Sequence, residues 1–365
     1  MGGIGAGGRL FRVPPGRCCE AELKPHASPP PPRRECPSSW SPLLRNSPFI
    51  QLLIGAFLSL RSRQLHRPHR RRRGVRPVPA QRGSPSGASW KQYADREFDG
   101  ETLRIWERPT DDPHAPRIAL VHGFEESRQS WEPLTAHLSP DLRLYALDLP
   151  WRNGSQHRWA SGGTSPAWLE RALSLLPGRP DLIVAHSYGA TTLLDLLTRR
   201  VEAARVPSVL VAPVFRPDDR PMDPGFFDEA VQRFRGVLAD GLRAQMGPRA
   251  QTVPVDILAS MADKVRERVE PHGFLQFYAT LARCPDLRLE DVDVPVLMIS
   301  GTRDPSAPPQ AVDALRSRIP HFSLHQDPGF SHFCQLQQPG PVAEAITAQL
   351  TRLGLRPIEE EANHA

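Results

Sequence analysis

Residues 182–200 read LIVAHSYGATTLLDLLTRR. Leu182 to Ala185 form a short apolar run of the kind that makes a buried strand, and Gly189 to Arg200 has helical spacing. Ser187 stands between them, with Ala185 on one side and Gly189-Ala190 on the other. A strand that passes straight into a helix must turn sharply, and a serine at the apex projects its hydroxyl above the sheet. Such a turn leaves room only for small neighbours. The helix start adds a backbone N–H and a field that favours a developing oxyanion. A serine that merely caps a helix is the plain alternative. It leaves the small residues on both sides unexplained.

Further apolar runs lie on either side of this one. Arg117–His122, Leu142–Leu147, Val206–Phe215, Val294–Ser300 and His321–Gln326 read as strands. Trp131–Leu138, Pro166–Leu176, Pro309–Arg318 and Pro341–Leu353 read as helices between and after them. Apolar strands spaced by helices imply a mostly parallel sheet covered on both faces, an α/β fold. Residues 216–290 break the alternation with helical periodicity alone, in Phe226–Ala239 and Val255–Ala282. That interval is too long for a structureless loop and reads as a helical insertion, or cap. The expected organisation is a core of 90–215 and 291–357, a cap of 216–290, and a distinct leading segment of 1–89.

Charge separates that leading segment from the rest of the 365 residues. Residues 1–89 hold 16 Arg and Lys against 3 Glu and no Asp, a balance of +13, whereas residues 90–365 carry −7. The segment is Gly-rich, then Pro-rich, then Arg-rich, and it cannot bury enough apolar surface to offset the entropy of ordering. Its apolar island, Phe49–Leu60, is too short to span a membrane, and no A-x-A cleavage pattern follows it. The Arg70–Arg73 run could contact nucleic acid or anionic lipid. A blander source is GC-rich coding, since the chain has 43 Arg against 3 Lys. Disorder is the expectation for the segment; since no methionine lies between Met1 and Met222, a non-ATG start near Val75 or Val78 is one reading of it, with a functionless tail or a binding tail as the alternatives. Native material whose N-terminus is Met1 would contradict the non-ATG start.

A serine needs a base to become a nucleophile. His332, in the late Gly-containing loop Asp327-Pro328-Gly329-Phe330-Ser331-His332, is the candidate. His186 is adjacent to the serine and points elsewhere, His122 ends a strand, and His26, His66, His69 and His364 lie in the tails. The base in turn needs an acid to fix its tautomer. Asp304 sits just past the carboxyl end of a strand, the edge where functional loops gather. Asp327 and Asp148 are its rivals. The expected oxyanion donors are the backbone N–H groups of Tyr188, after the nucleophile, and of Phe124, in the tight turn His122-Gly123-Phe124-Glu125.

Five stretches together resemble the α/β-hydrolase superfamily over residues of roughly 100–355: LVHGF (120–124), YALDLPWRNGS (145–155), VAHSYGA (184–190), VLMISGTRD (296–304) and PGFSHF (328–333). The resemblance implies Ser187 as nucleophile, Asp304 as acid, His332 as base, and Phe124 and Tyr188 as oxyanion donors. It also implies a cap inserted after the sixth strand. Ala185 departs from the first glycine of G-x-S-x-G. Trp151-Arg152-Asn153 replaces a Gly-His-Gly-like stretch in a loop that borders the site, which makes Trp151 a candidate substrate contact.

A serine at this turn argues against the family branches with a carboxylate nucleophile. What remains is acyl transfer through an acyl-enzyme, on an ester, thioester or lactone of a small or medium apolar acyl group. C–C bond hydrolysis, acyl transfer, elimination and a non-catalytic binding role are the alternatives. No cofactor is expected and no metal, since Cys284 and Cys334 lack ligand spacing. The expected partner is a small acyl substrate, with neither nucleic acid nor membrane, and the expected location is the cytoplasm. Aromatic residues of the insertion (Phe226, Phe227, Phe234, Phe274, Phe277, Tyr278) and Leu275 are expected to hold it down, with two or three facing the cleft.

Overall fold

The computed structural model describes residues 89–355. The Gly-, Pro- and Arg-rich stretch, its apolar island and the candidate start near Val75 or Val78 lie outside the described residues. Eight strands form one sheet. They are β1 (Lys91–Phe98), β2 (Glu101–Arg108), β3 (Arg117–Val121), β4 (Arg143–Asp148), β5 (Leu182–His186), β6 (Ser208–Val211), β7 (Val296–Gly301) and β8 (Phe322–Asp327). Their order is β1-β2-β4-β3-β5-β6-β7-β8, parallel from β4 to β8. Strands β1 and β2 are antiparallel, to each other and to β4.

Period-two alternation sends successive side chains of the central strands to opposite faces. Ala119, Val121, Ile183, Ala185 and Met298 face one apolar layer, and Ile118, Leu120, Leu182, Val184 and Leu297 face the other. Because both faces are buried, these strands show as unbroken apolar runs. Each fully buried Leu, Ile or Val side chain contributes about 1.5–3 kcal/mol, so the sheet is the frame against which everything else is placed.

The α-helices are α1 (Glu132–Thr135), α2 (Ser165–Ser174), α3 (Ser187–Thr198), α4 (Pro224–Met246), α5 (Val255–Val269), α6 (Leu275–Arg283), α7 (Pro309–Arg318), α8 (Cys334–Gln337) and α9 (Pro339–Arg352). Helix α3 is buried along all twelve of its residues. Among the described residues no helix is long and apolar enough to cross a membrane.

The expected alternation holds for β3 to β8, with differences that have local causes. The hairpin of β1 and β2 was not expected: its charged, half-exposed residues hide the pattern. Its signal is the Asp99-Gly100 turn, where both residues take positive φ. Strand β6 is shorter than Val206–Phe215 because Ala212 turns the chain at φ +47°. The helix expected over Val255–Ala282 is split by a wide π turn at Glu270–Phe274, where Pro271 has no N–H to donate. Trp131–Leu138 is a 3₁₀ turn, Arg128–Trp131, followed by the single turn of α1.

Two glycines let segments meet closely enough to set up the carboxyl edge of the sheet. A Cβ on Gly189 would lie 2.4 Å from the His122 carbonyl oxygen, so only glycine lets α3 start this close to the end of β3. A Cβ on Gly301 would lie 2.0 Å from the Phe330 carbonyl oxygen, where the chain leaving β7 meets the chain leaving β8. Both obstacles are backbone atoms, which cannot swing aside. Gly236, within α4, has nothing within 4 Å of its would-be Cβ. Gly301→Ala is expected to cost about 2–3 kcal/mol in urea unfolding, whereas Gly236→Ala gains about 0.5–1 kcal/mol. Equal effects from the two would contradict the close approach.

Candidate active site

Strand β5 runs into α3 through Ser187, which holds φ +51°, a left-handed conformation unusual for a non-glycine residue. That strain lifts the hydroxyl off the sheet edge. Ser187 Oγ lies 3.0 Å from His332 Nε2. The first amides of α3, Tyr188 among them, have no acceptor within the helix.

His332 sits in the loop between β8 and α8. Its Nδ1 is 2.9 Å from Asp304 Oδ2, while Asp304 Oδ1 accepts the Ser306 N–H at 2.8 Å. A carboxylate only accepts, so Nδ1 carries the proton and Nε2 faces the serine hydroxyl as an acceptor. Burial alone would raise the Asp304 carboxyl. The charge and hydrogen bond of His332, with the Ser306 N–H, outweigh burial and hold it below its ordinary value. All three residues are buried, and Ser187 is only 4% exposed.

The rival carboxylates are occupied elsewhere. Asp327 Oδ1 takes the Gly329 N–H at 2.7 Å, which folds its own turn. Asp148 accepts from the Trp106 indole at 2.8 Å and from the Arg128 N–H at 2.7 Å. Ser187, His332 and Asp304 are thus brought together from three separate loops.

The turn after β3 supplies the other side of the site. His122 Nε2 accepts the Leu149 N–H at 3.0 Å, so its Nδ1 donates to the Gly123 carbonyl at 2.7 Å. Burial holds this ring below its ordinary pKa, in keeping with a neutral structural histidine. The Gly123 N–H donates to Glu126 Oε2 at 2.8 Å and the Glu125 N–H to the Trp151 carbonyl at 3.0 Å. Between them, the Phe124 N–H has no acceptor among the described residues. Trp151, expected as a substrate contact, is instead fully buried. Its indole N–H donates to the His122 carbonyl at 3.2 Å, and its ring packs 5.5 Å from Tyr188. It joins the end of β3 to the first turn of α3.

The insertion between β6 and β7 packs directly on this turn. The Phe124 ring lies 5.6 Å from Phe234 of α4 and 5.2 Å from Tyr188, and it stacks on His157 at 4.5 Å. Phe234 in turn meets Phe274 and Phe277. Tyr278 packs on Phe226, Phe227 and Phe274, and Phe227 on Phe274 as well. Of the expected aromatics, Phe234 is therefore the one in ring contact with the turn.

A polar clasp that no local pattern marks surrounds Glu125, which sits at φ +57°. Arg268 of α5 grips its carboxylate through both terminal nitrogens, His157 Nε2 lies against the same carboxylate, and Gln245 of α4 donates to its carbonyl at 3.1 Å. Burial would raise this carboxyl, but His157 and then Arg268 outweigh it and hold it below its ordinary value. Because the folded carboxyl is the stronger acid, its contribution is full above the ordinary carboxylate range and lost as pH falls through the lowered value. Arg268→Met is expected to destabilise the protein by roughly 2 kcal/mol at pH 7, with Glu125→Gln in the same chain restoring part of the loss. Additive losses in that double variant, measured by urea unfolding, would contradict the clasp.

Residues 118–345 match the sequence profile of the alpha/beta hydrolase family. Over 250 residues the chain is 29% identical to a pimeloyl-[acyl-carrier protein] methyl ester esterase of Aromatoleum aromaticum, covering 63% of this chain and 96% of that one. It is 26% identical over 246 residues to the protein of the same description from Nitrosospira multiformis, covering 61% and 90%. Among solved structures it is similar to a membrane phospholipase A described as a bacterial virulence factor. The TM-score there is 0.57 at 16% identity, over 74% of this chain and 88% of that one, a likeness of fold alone. With the family match spanning well over half of its length and every strand from β3 to β8, the chain belongs to the alpha/beta hydrolase family of enzymes.

Proposed function

We propose that this enzyme hydrolyses a carboxylic ester or thioester through an acyl-enzyme on Ser187. The observation that carries the reading is the hydrogen-bonded chain from Ser187 Oγ to His332 Nε2, 3.0 Å, and from His332 Nδ1 to Asp304, 2.9 Å. His332 takes the hydroxyl proton as Oγ bonds to the acyl carbon. The carbonyl electron pair moves onto oxygen, where the N–H groups of Phe124 and Tyr188 receive it. As the tetrahedral adduct collapses, the C–O or C–S bond breaks and His332 gives its proton to the departing alkoxide or thiolate. A water, deprotonated by the same ring, then releases the carboxylic acid and restores Ser187. Asp304 holds the ring in its productive tautomer and offsets the charge of the imidazolium.

The substrate in this reading is a small or medium uncharged acyl group. The insertion, residues 216–290, acts as a cap whose Phe234 closes over the turn that offers the Phe124 N–H. A methyl ester of an acyl group borne by an acyl-carrier protein is one candidate, in line with the descriptions of the two bacterial relatives. A cytoplasmic setting agrees with the two described cysteines, Cys284 and Cys334, which are free, buried and pushed up to about 12 by that burial. The near closure around Ser187 favours one second reading, acyl transfer to an alcohol or amine in place of water.

The test compares the full-length wild type with Ser187→Ala and Asp304→Asn on p-nitrophenyl esters from C2 to C12 and a fluorophosphonate probe. Wild type is expected to label and turn over, Ser187→Ala to do neither, and Asp304→Asn to lose about 10⁴-fold in kcat. A folded Ser187→Ala variant that keeps more than a few per cent of activity would overturn the nucleophile. Product analysis with added alcohol or amine separates hydrolysis from transfer.

A further inference from the structure

A second histidine stands immediately beside the nucleophile and takes no part in the chemistry above. His186 is fully buried, and its two ring nitrogens face two different elements. Its Nε2 lies 2.9 Å from the carbonyl oxygen of His332, the residue that serves as base. Its Nδ1 lies 2.9 Å from Glu126 Oε1, an ion-pair contact outside hydrogen-bond alignment. Glu126 is only 1% exposed. Its other oxygen accepts the Gly123 N–H at 2.8 Å, one peptide before the Phe124 amide, and Oε1 accepts from Gln335 of α8 at 3.4 Å.

A carbonyl and a carboxylate oxygen can only accept, so an imidazole placed between them is favoured with both nitrogens protonated, Nε2 donating to the carbonyl and Nδ1 meeting the carboxylate by charge. His186 then holds a positive charge and Glu126 a negative one, both out of water. An isolated buried charge of either sign would be costly. A buried pair of this kind is a weak source of stability beside an apolar pair of similar volume. Its distinguishing property is geometric, since each end grips a different backbone segment.

We propose that Glu126 and His186 are positioning residues: a buried ion pair that ties the turn offering the Phe124 N–H to the loop carrying His332. The inference rests on the acyl-enzyme reading of Ser187. The chain of contacts is Gly123 N–H to Glu126, Glu126 to His186, and His186 to the His332 carbonyl. It spans the back of the site and fixes the distance between the place where negative charge develops and the place where the proton goes. Neither side chain is assigned a role on the reacting atoms. Their effect comes through two backbone segments, and a misplacement of about 1 Å at such segments can cost about 10²-fold in rate.

The surroundings support the charge assignment. Burial would lower His186, but the charge and close contact of Glu126, with the His332 carbonyl, outweigh burial and raise it above its ordinary value. Asp304 adds in the same direction from farther away. Burial would likewise raise Glu126, but His186, the Gly123 N–H and the more distant His122 hold it below its ordinary value. The other groups packed on the ring are His332, with centroids 5.2 Å apart, and Phe333, at 5.6 Å. Since His186 is raised, its contribution is full at low pH and lost as pH rises through the raised value. Since Glu126 is lowered, its contribution is lost as pH falls through the lowered value. The pair is intact in the window between them.

The test uses the full-length protein, Glu126→Ala, His186→Ala and Glu126→Gln, with ester turnover, fluorophosphonate labelling and ¹⁵N NMR of the histidine rings. The alanine variants are expected to lose about 10–100-fold in kcat and in labelling rate, with KM changed by less than about threefold. Glu126→Gln can still accept from Gly123 and meet a neutral His186. It is expected to retain most of kcat while losing the alkaline fall in activity that deprotonation of His186 gives the wild type. In the wild type, both ring nitrogens of His186 are expected to be protonated at pH 7.5. Wild-type kcat in folded alanine variants would overturn the proposal. If those variants do not fold, a neutral His186 in the wild type or an unchanged alkaline limb in Glu126→Gln overturns it equally. A wild type that fails to label at Ser187 sinks the acyl-enzyme reading instead, a distinguishable result.

Discussion

Everything at the site is referenced to one backbone turn, the left-handed Ser187 between β5 and α3. The turn is held because α3 begins within contact distance of the end of β3, an approach that Gly189 alone permits against the His122 carbonyl. Local strain of this size persists only where the surroundings over-determine it. Here the surroundings are a helix buried along its whole length and a sheet filled on both faces. The energy that holds the serine in place therefore comes from apolar burial far from the chemistry. The polar groups around it only need to be aimed.

Three buried histidines show how that aiming depends on hydrogen-bond partners more than on residue type. His122 accepts from a backbone N–H and stays neutral, as part of a turn. His332 donates to Asp304 and leaves its second nitrogen open toward the serine hydroxyl. His186 meets only acceptors and, in the proposal above, carries a charge that joins two loops. In the proposed mechanism proton transfer falls to the ring whose second nitrogen faces neither a backbone donor nor a carboxylate, His332.

The parts of this arrangement that a sequence can show are those built from contiguous residues. Strands buried on both faces appear as apolar runs, and the loops at their carboxyl ends carry Ser187, Asp304 and His332, so fold class and candidate triad were both legible. The β1–β2 hairpin was not, because half-exposed strands rich in Lys, Asp, Glu and Arg leave only the Asp99-Gly100 turn as a signal. The burial of the Trp151 ring against Tyr188 was not legible either, since its loop reads as one that borders the site. The Glu125–Arg268 and Glu126–His186 pairs join residues far apart in the chain, and nothing local marks them. The available sign was two adjacent acids, Glu125 and Glu126, directly after the His122-Gly123 turn that ends an apolar strand.

An acyl-enzyme mechanism requires covalent chemistry at one oxygen, Ser187 Oγ. The most direct measurement is mass spectrometry of the wild-type protein, quenched in acid within milliseconds of mixing with a chromogenic ester and then digested. The account predicts a peptide containing Ser187 that is heavier by the acyl group minus one hydrogen, formed and lost at rates consistent with turnover. Turnover with no such adduct, or an adduct on another residue that forms and decays at those rates, would contradict it.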